Sequence, residues 1–213
     1  MKINKNNMHI TIDTEIGSNG EAIAMELSKM LGIPCYGTEI LDKAAEVSGI
    51  PATQLHRYDG RAVHAAYDLL ADDQTPIRMR PAADFLAAQM AACRELAAQG
   101  PCIMVDRHAT KALEGTEDHV SIYVHSDFND RAARTAETEG KSLEEAKKEL
   151  RRADHARRSY YRGNNKGWGE ADSYDMTLNA SDADVNVLTG TVIRFLETMA
   201  GATLTESKES KAV

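Results

Sequence analysis

Three stretches of the chain gather residue types that could do chemistry. The first is ITIDTEIGSNGEAIA, residues 10–24, where an apolar alternation runs into Gly17, Ser18, Asn19 and Gly20 and then into a helical pattern. Backbone N–H groups at a helix start, helped by glycines, bind phosphate. Gly17, Ser18, Asn19, Gly20, Glu21 and Ala22 therefore form a candidate phosphate loop. A full pattern would read GxxxxGK[ST]. Here Glu21 and Ala22 follow Gly20, so the lysine and the magnesium-holding hydroxyl are both missing. Taken alone, a plain glycine turn before a helix is the simpler reading.

The second stretch, CIMVDRHA (residues 102–109), ends an apolar run on Asp106 and Arg107. A carboxylate at the carboxyl end of a strand is where an open α/β sheet meets its ligand. Asp106 is thus a candidate magnesium-linked carboxylate, and Arg107 a candidate two-pronged phosphate ligand. A strand closing in a solvated charged turn is the alternative. The third stretch is LRRADHARRSYYRGNNKGWG, residues 150–169. On a helix, Arg151, His155, Arg158 and Arg162 share a face. With the glycine-rich segment after it, that face could close over a polyphosphate. A solvated helix balanced by Glu144, Glu145 and Glu149 is the alternative. The concentration of Tyr160, Tyr161 and Trp168 beside these arginines, in an acidic chain, favours a lid.

The elements that must position these residues follow from periodicity. Strands are expected at His9–Asp13, 101–107, 119–126 and 174–181, with a second strand or an extended helix entry in IPCYGTEIL. Helices are expected at Glu21–Leu31, 85–100 and 183–199, the first ending at Gly32. Strands separated by helices imply a parallel sheet covered on both faces. Residues 51–84, with Arg57, Arg61, Arg78 and Arg80, and the charged residues 127–172 interrupt this core as solvent-rich inserts. Gly140-Lys141-Ser142 imitates a phosphate loop, but Ser142 and Glu145 read as a capping box opening a helix.

Composition narrows the function classes. The chain has 213 residues, 42% apolar and 27% charged, with a formal charge of -8. Such a balance opposes broad nucleic-acid binding, which needs a basic surface. No apolar run approaches the ~20 residues of a membrane span. Cys35, Cys93 and Cys102 are isolated and the seven histidines lack metal-ligand spacing. Three unpaired cysteines and an N-terminus without a signal pattern lead to an expected cytoplasmic location.

In their order along the chain, the segments at 10–41, 100–109, 159–169 and 174–181 resemble the cytidylate kinase-like family of nucleoside monophosphate kinase-fold proteins. The resemblance implies a three-layer P-loop α/β fold with a parallel sheet flanked by helices and an arginine-rich helical lid. It implies one domain over 8–202, with core segments 8–50, 85–126 and 173–202, an acceptor-side insert at 51–84, a lid region at 127–172, and frayed termini at 1–7 and 203–213. The implied reaction moves the γ-phosphoryl group of ATP to CMP or dCMP, or to a related small acceptor, with magnesium. Gly17, Ser18 and Gly20 then fall on the phosphate loop and Arg107 near the acceptor phosphate. Arg157, Arg158 and Arg162 fall in the lid.

Against the family pattern, Thr14 stands where an arginine is usual, Asn19 and Asp106 where glycines are, and Glu21 where the loop carries a basic residue. A carboxylate ~4 Å from a phosphate charge is repelled by about 4 kcal/mol at an effective dielectric of 20. Two readings follow: a phosphotransferase whose lid arginines supply the cationic charge, or a degenerate nucleotide-binding or regulatory relative. Base specificity rests on the resemblance alone.

Overall fold

The computed structural model describes residues 4, 6–59, 81–164 and 167–204. Most of the 51–84 insert, including Arg61, Arg78 and Arg80, lies outside the described residues, as do the side chains of Arg57 and Arg162.

The chain opens with β1 (His9–Thr14), α1 (Gly20–Leu31), β2 (Cys35–Tyr36), α2 (Glu39–Ser48) and α3 (Ala52–Tyr58). Next come α4 (Pro81–Ala97), β3 (Cys102–Val105), the short α5 (Ala109–Ala112) and β4 (His119–His125). Helices α6 (Phe128–Glu139) and α7 (Leu143–Asn164), then β5 (Met176–Asn179) and α8 (Val185–Ala200), complete it. The strands form one sheet in the order β2-β3-β1-β4-β5 with every pair parallel. In register, Ile12 lies between Val105 and Ile122.

Both faces of the sheet are dry, which is why β1, β3 and β4 read as apolar runs. Ile10, Ile12, Ile103, Val105 and Ile122 pack with Ile23 and Leu27 of α1 and Val192 and Leu196 of α8. On the opposite face, Cys102 and Met104 meet Ile40 and Leu41 of α2, Phe85 and Ala92 of α4, and Ala109 of α5. Full burial of each large apolar side chain is worth about 1.5–3 kcal/mol, so these two layers fix the strand ends in space. Among the described residues no helix is long and apolar enough to cross a membrane.

Residues 127–172 depart from a solvent-rich insert. Helices α6 and α7 pack on each other, and α7 carries a buried stripe at Ala146, Leu150 and Tyr161. Helical spacing puts Asp154 and Arg157 on that same stripe. Its start is the expected capping box: the Glu145 amide donates to Ser142 Oγ at 3.3 Å and the Ser142 amide to Glu145 Oε2 at 3.1 Å. Lys141 pairs with Glu139 and Glu149, so the glycine-lysine-serine imitation is helix-entry chemistry.

Candidate active site

The carboxyl ends of β1 and β3 lie side by side and open into two tight turns. After β1, residues 15–19 loop over to α1. Gly17 and Asn19 both take positive φ, 75° and 66°. Asn19 caps α1 without a side-chain hydrogen bond, so the amides of the first helical turn have no acceptor from their cap. Gly20 is required by space, because a Cβ there would lie 2.1 Å from Thr14 Cγ2. A cavity of about 310 Å³ opens over this turn, walled by Thr14, Glu15, Asn19, Glu21, Asp106 and Arg157 among others.

Glu21 is exposed, lines this cavity and makes no hydrogen bond or ion pair to a described residue. Ser18 faces the other way. Its hydroxyl donates to Val124 O at 3.2 Å and its amide to Glu15 O at 3.0 Å, so it braces the loop and offers no free donor. Two arginines of α6 hold the loop from outside. Arg134 Nε donates to Gly17 O at 2.8 Å. Arg131, 3% exposed, donates to Ile16 O at 3.1 Å and makes a two-pronged pair with Asp154 at 3.0 and 2.8 Å. These bonds take up the loop carbonyls of Ile16 and Gly17.

The turn after β3 is strained. Asp106, Arg107 and His108 all have positive φ, 58°, 49° and 61°. Each such residue costs on the order of 1–3 kcal/mol when it is not glycine, which accounts for a glycine at the Asp106 position in the family pattern. Local bonds hold the turn: Tyr161 Oη accepts the Arg107 amide at 3.2 Å, and Ile12 O accepts the Asp106 amide at 3.0 Å. The Asp106 carboxylate accepts from the Thr14 amide (3.0 Å) and the Thr14 hydroxyl (3.1 Å), and pairs with Arg157 at 2.9 Å. Arg157 also donates to Thr14 O at 3.0 Å.

Asp106 thus has both oxygens engaged by protein donors, and no group of three metal-ligating side chains occurs among the described residues. In this arrangement it fits an ion-pair partner better than a magnesium ligand. The phosphate groups of a nucleotide do fit, on the uncapped amides of α1.

Among the described side chains, the lid helix contributes one inward arginine. Arg157 lies on the buried stripe and closes the cavity wall. Arg158 is exposed and makes no ion pair to a described residue, while Arg151 lies over the Phe128 ring at 5.1 Å. Of the face read from Arg151, His155, Arg158 and Arg162, the described members Arg151, His155 and Arg158 are exposed and do not dock. The apolar positions Ala146, Leu150 and Tyr161 choose the docking side, and they select Arg157. The end of α7 is pinned by Tyr160, Tyr161 and Trp168, which cluster with Tyr123. His108 sits 4.8 Å from both the Tyr160 and Tyr161 rings, and burial lowers its pKa to about 4, keeping it neutral. Arg107 turns from the loop cavity and pairs with Asp59 at 2.7 Å.

Asp13 is a participant that the sequence motifs did not single out. It is 2% exposed at the end of β1, accepts from Tyr174 Oη at 2.8 Å, and leaves its Oδ1 without a partner. Burial first, then the negative charge of Asp106, raises its pKa to about 7. A raised carboxylate pKa means that the folded state binds the proton more tightly than the unfolded chain does. This contribution to stability is present at acidic pH and is lost as pH rises through the folded value near 7. Asp13→Asn is expected to raise the melting temperature over the parent at pH 8 and to change it little at pH 5. Equal shifts at both pH values would contradict a protonated Asp13. The signal for it, an aspartate within an apolar strand, was visible but carried no partner.

Comparison with known proteins agrees with this geometry. The cytidylate kinase-like family matches residues 9–182. No curated protein matches the sequence. An uncharacterised protein from Eubacterium ventriosum superposes with a TM-score of 0.66 at 22% identity, over 90% of this chain and 99% of its own. A gluconokinase from Sinorhizobium meliloti gives 0.53 at 11% identity, over 93% and 96% of the two chains. A shikimate kinase from Bacteroides thetaiotaomicron gives 0.52 at 11%, over 89% and 98%. At these identities the solved structures share the three-layer α/β kinase fold and nothing finer. With a family match spanning most of its length, the chain belongs to the cytidylate kinase-like family.

Proposed function

We propose that this protein is a kinase-like phosphotransferase that moves the γ-phosphoryl group of ATP to a small acceptor, with CMP and dCMP the acceptors its family name brings forward. The observation that carries this reading is the open cradle over the uncapped first turn of α1, with Arg157 at its wall. Phosphoryl transfer asks mainly for positioning and charge stabilisation. The amides of Asn19 to Ala22 would hold donor phosphates, Arg131 and Arg134 would keep the loop in shape, and the docked end of α7 would exclude water. Arg157 would stabilise the transferring group on leaving Asp106. Magnesium, when bound with the nucleotide, supplies positive charge that the loop lacks.

A second reading is binding without transfer. It is favoured by the pairing of Arg107, Arg131 and Arg157 with carboxylates of the chain itself. A coupled assay across nucleoside monophosphates, beside melting curves with ATP and magnesium, separates the two. A ligand present at a hundred times its Kd stabilises the native state by about 2.7 kcal/mol. ATP is expected to raise the melting temperature, more in Glu21→Arg than in the parent, and to yield ADP with at least one acceptor. Stabilisation without turnover would leave the second reading. No stabilisation by millimolar ATP would remove both.

A further inference from the structure

A second cavity, about 430 Å³, lies against α7 and is lined from the end of α3 by Asp59. Its α7 wall is Glu149, Arg152, Ala153 and Ala156, residues that recur at helical spacing and share one face, with Arg157 beside them. Two alanines stand in the middle of that face, where longer side chains would fill the space. The volume falls within the roughly 300–1,000 Å³ of small-molecule sites. Arg157 and Ile16 line both this cavity and the cradle over α1, so the two spaces adjoin at Arg157.

Charge sorts the lining residues. Asp59 is paired with Arg107, Glu149 with Lys141 and Arg157 with Asp106. Arg152 is exposed and makes no hydrogen bond or ion pair to a described residue. Among the described residues, then, the uncompensated charge on this cavity is one guanidinium. Its planar fork of donors suits phosphate oxygens.

We propose that this cavity is the acceptor site and that Arg152 takes the phosphate of a nucleoside monophosphate there, next to Arg157 at the junction with the donor cradle. The inference rests on the phosphotransfer reading and gives it an acceptor residue that the sequence motifs did not single out. In the step that reading implies, an oxygen of the acceptor phosphate forms the bond to Pγ while the bond from Pγ to the bridging oxygen of ADP breaks. A dianionic acceptor has no proton to shed. Arg152 and Arg157 then hold two anions whose mutual repulsion opposes the new bond, which is the charge stabilisation that phosphoryl transfer asks for.

The test is calorimetric titration of CMP and of cytidine into the full chain and its Arg152→Ala, Arg152→Lys and Lys148→Ala variants. CMP is expected to bind Arg152→Ala at least about tenfold more weakly than the parent, the cost of losing hydrogen bonds to a charged group. Arg152→Lys is expected to fall between them, since an ammonium keeps the charge and loses the fork. Cytidine, which lacks the phosphate, is expected to bind the parent and Arg152→Ala alike. Lys148 is exposed on the same helix and outside the cavity lining. Lys148→Ala removes an equal charge and is expected to leave CMP affinity unchanged. Ala156→Leu, which fills the cavity, is expected to lose CMP while ATP still raises its melting temperature. Equal losses for CMP and cytidine in Arg152→Ala, equal CMP affinity in Arg152→Ala and the parent, no CMP binding by the parent, or undiminished CMP binding by Ala156→Leu would each overturn the proposal. A CMP affinity that depends on Arg152, with no melting shift from ATP in the parent, would support the site and sink the phosphotransfer reading alone.

Discussion

Arg131→Ala is expected to lower the unfolding free energy by about 3–5 kcal/mol, the cost of removing one partner from a buried ion pair. The side chain is 3% exposed, pairs with Asp154 through two nitrogens and lies 3.3 Å from Glu15. Its removal leaves two carboxylates facing each other where a cation had joined them. It also frees Ile16 O and Ser126 O, so the loop loses an anchor along with the lid helix. Urea denaturation of the parent, Arg131→Ala and the Arg131→Met/Asp154→Leu double variant checks this. The double variant is expected to recover most of the loss, because burying apolar groups in place of an ion pair is close to neutral. The unrecovered part measures the two carbonyl bonds together with the loss of the Glu15 partner. A loss below about 1 kcal/mol in Arg131→Ala would put the pair in the class of solvent-exposed bridges and would remove it as the tie between lid and loop.

Gly20→Ala is expected to abolish nucleotide binding while leaving a folded protein. The added Cβ would sit 2.1 Å from Thr14 Cγ2 and 2.8 Å from Thr14 Cβ. Overpacking of this kind costs about 1–3 kcal/mol, and the backbone relieves it by moving the first turn of α1 away from β1. That movement takes the amides of Gly20 to Ala22 out of the cradle. ATP should then no longer raise the melting temperature. Thr14→Ser on the same chain removes the nearer atom and is expected to restore part of the response, as coupled neighbours do in a double-variant cycle. An undiminished ATP response in Gly20→Ala would mean that the phosphates lie elsewhere.

Local chemistry was legible in the sequence and long-range pairing was not. The loop after β1, the strand ending at Val105 and the helix beginning at the Ser142 capping box follow from periodicity and turn residues, and they stand where expected within a few residues. Asp106 read as a carboxylate at the end of a strand, where β3 puts it. Its partner could not be read, because 51 residues of chain separate it from Arg157 and nothing in spacing links them. The same holds for Asp59 with Arg107 and for Arg131 with Asp154.

Helical counting and the family resemblance differed over the lid, since the resemblance already placed Arg157 there beside Arg158 and Arg162. Counting arginines at helical intervals selects Arg158, whereas projecting the apolar stripe from Ala146 and Leu150 selects Arg157. Apolar burial decides which face docks, and a charged residue on that face is then forced to find a partner. Glu21, which looked like an obstacle in the cradle, is exposed by the same helix geometry that exposes every fourth position of α1.

The most direct measurement is a titration of ATP with magnesium into isotope-labelled full-length protein, followed by the backbone amide resonances. The amides of Gly17 and of Asn19 to Ala22 are expected to shift together and saturably, with those of α8 unmoved. Saturable shifts confined to other segments, with the Asn19 to Ala22 amides stationary, would contradict a phosphate cradle at the start of α1.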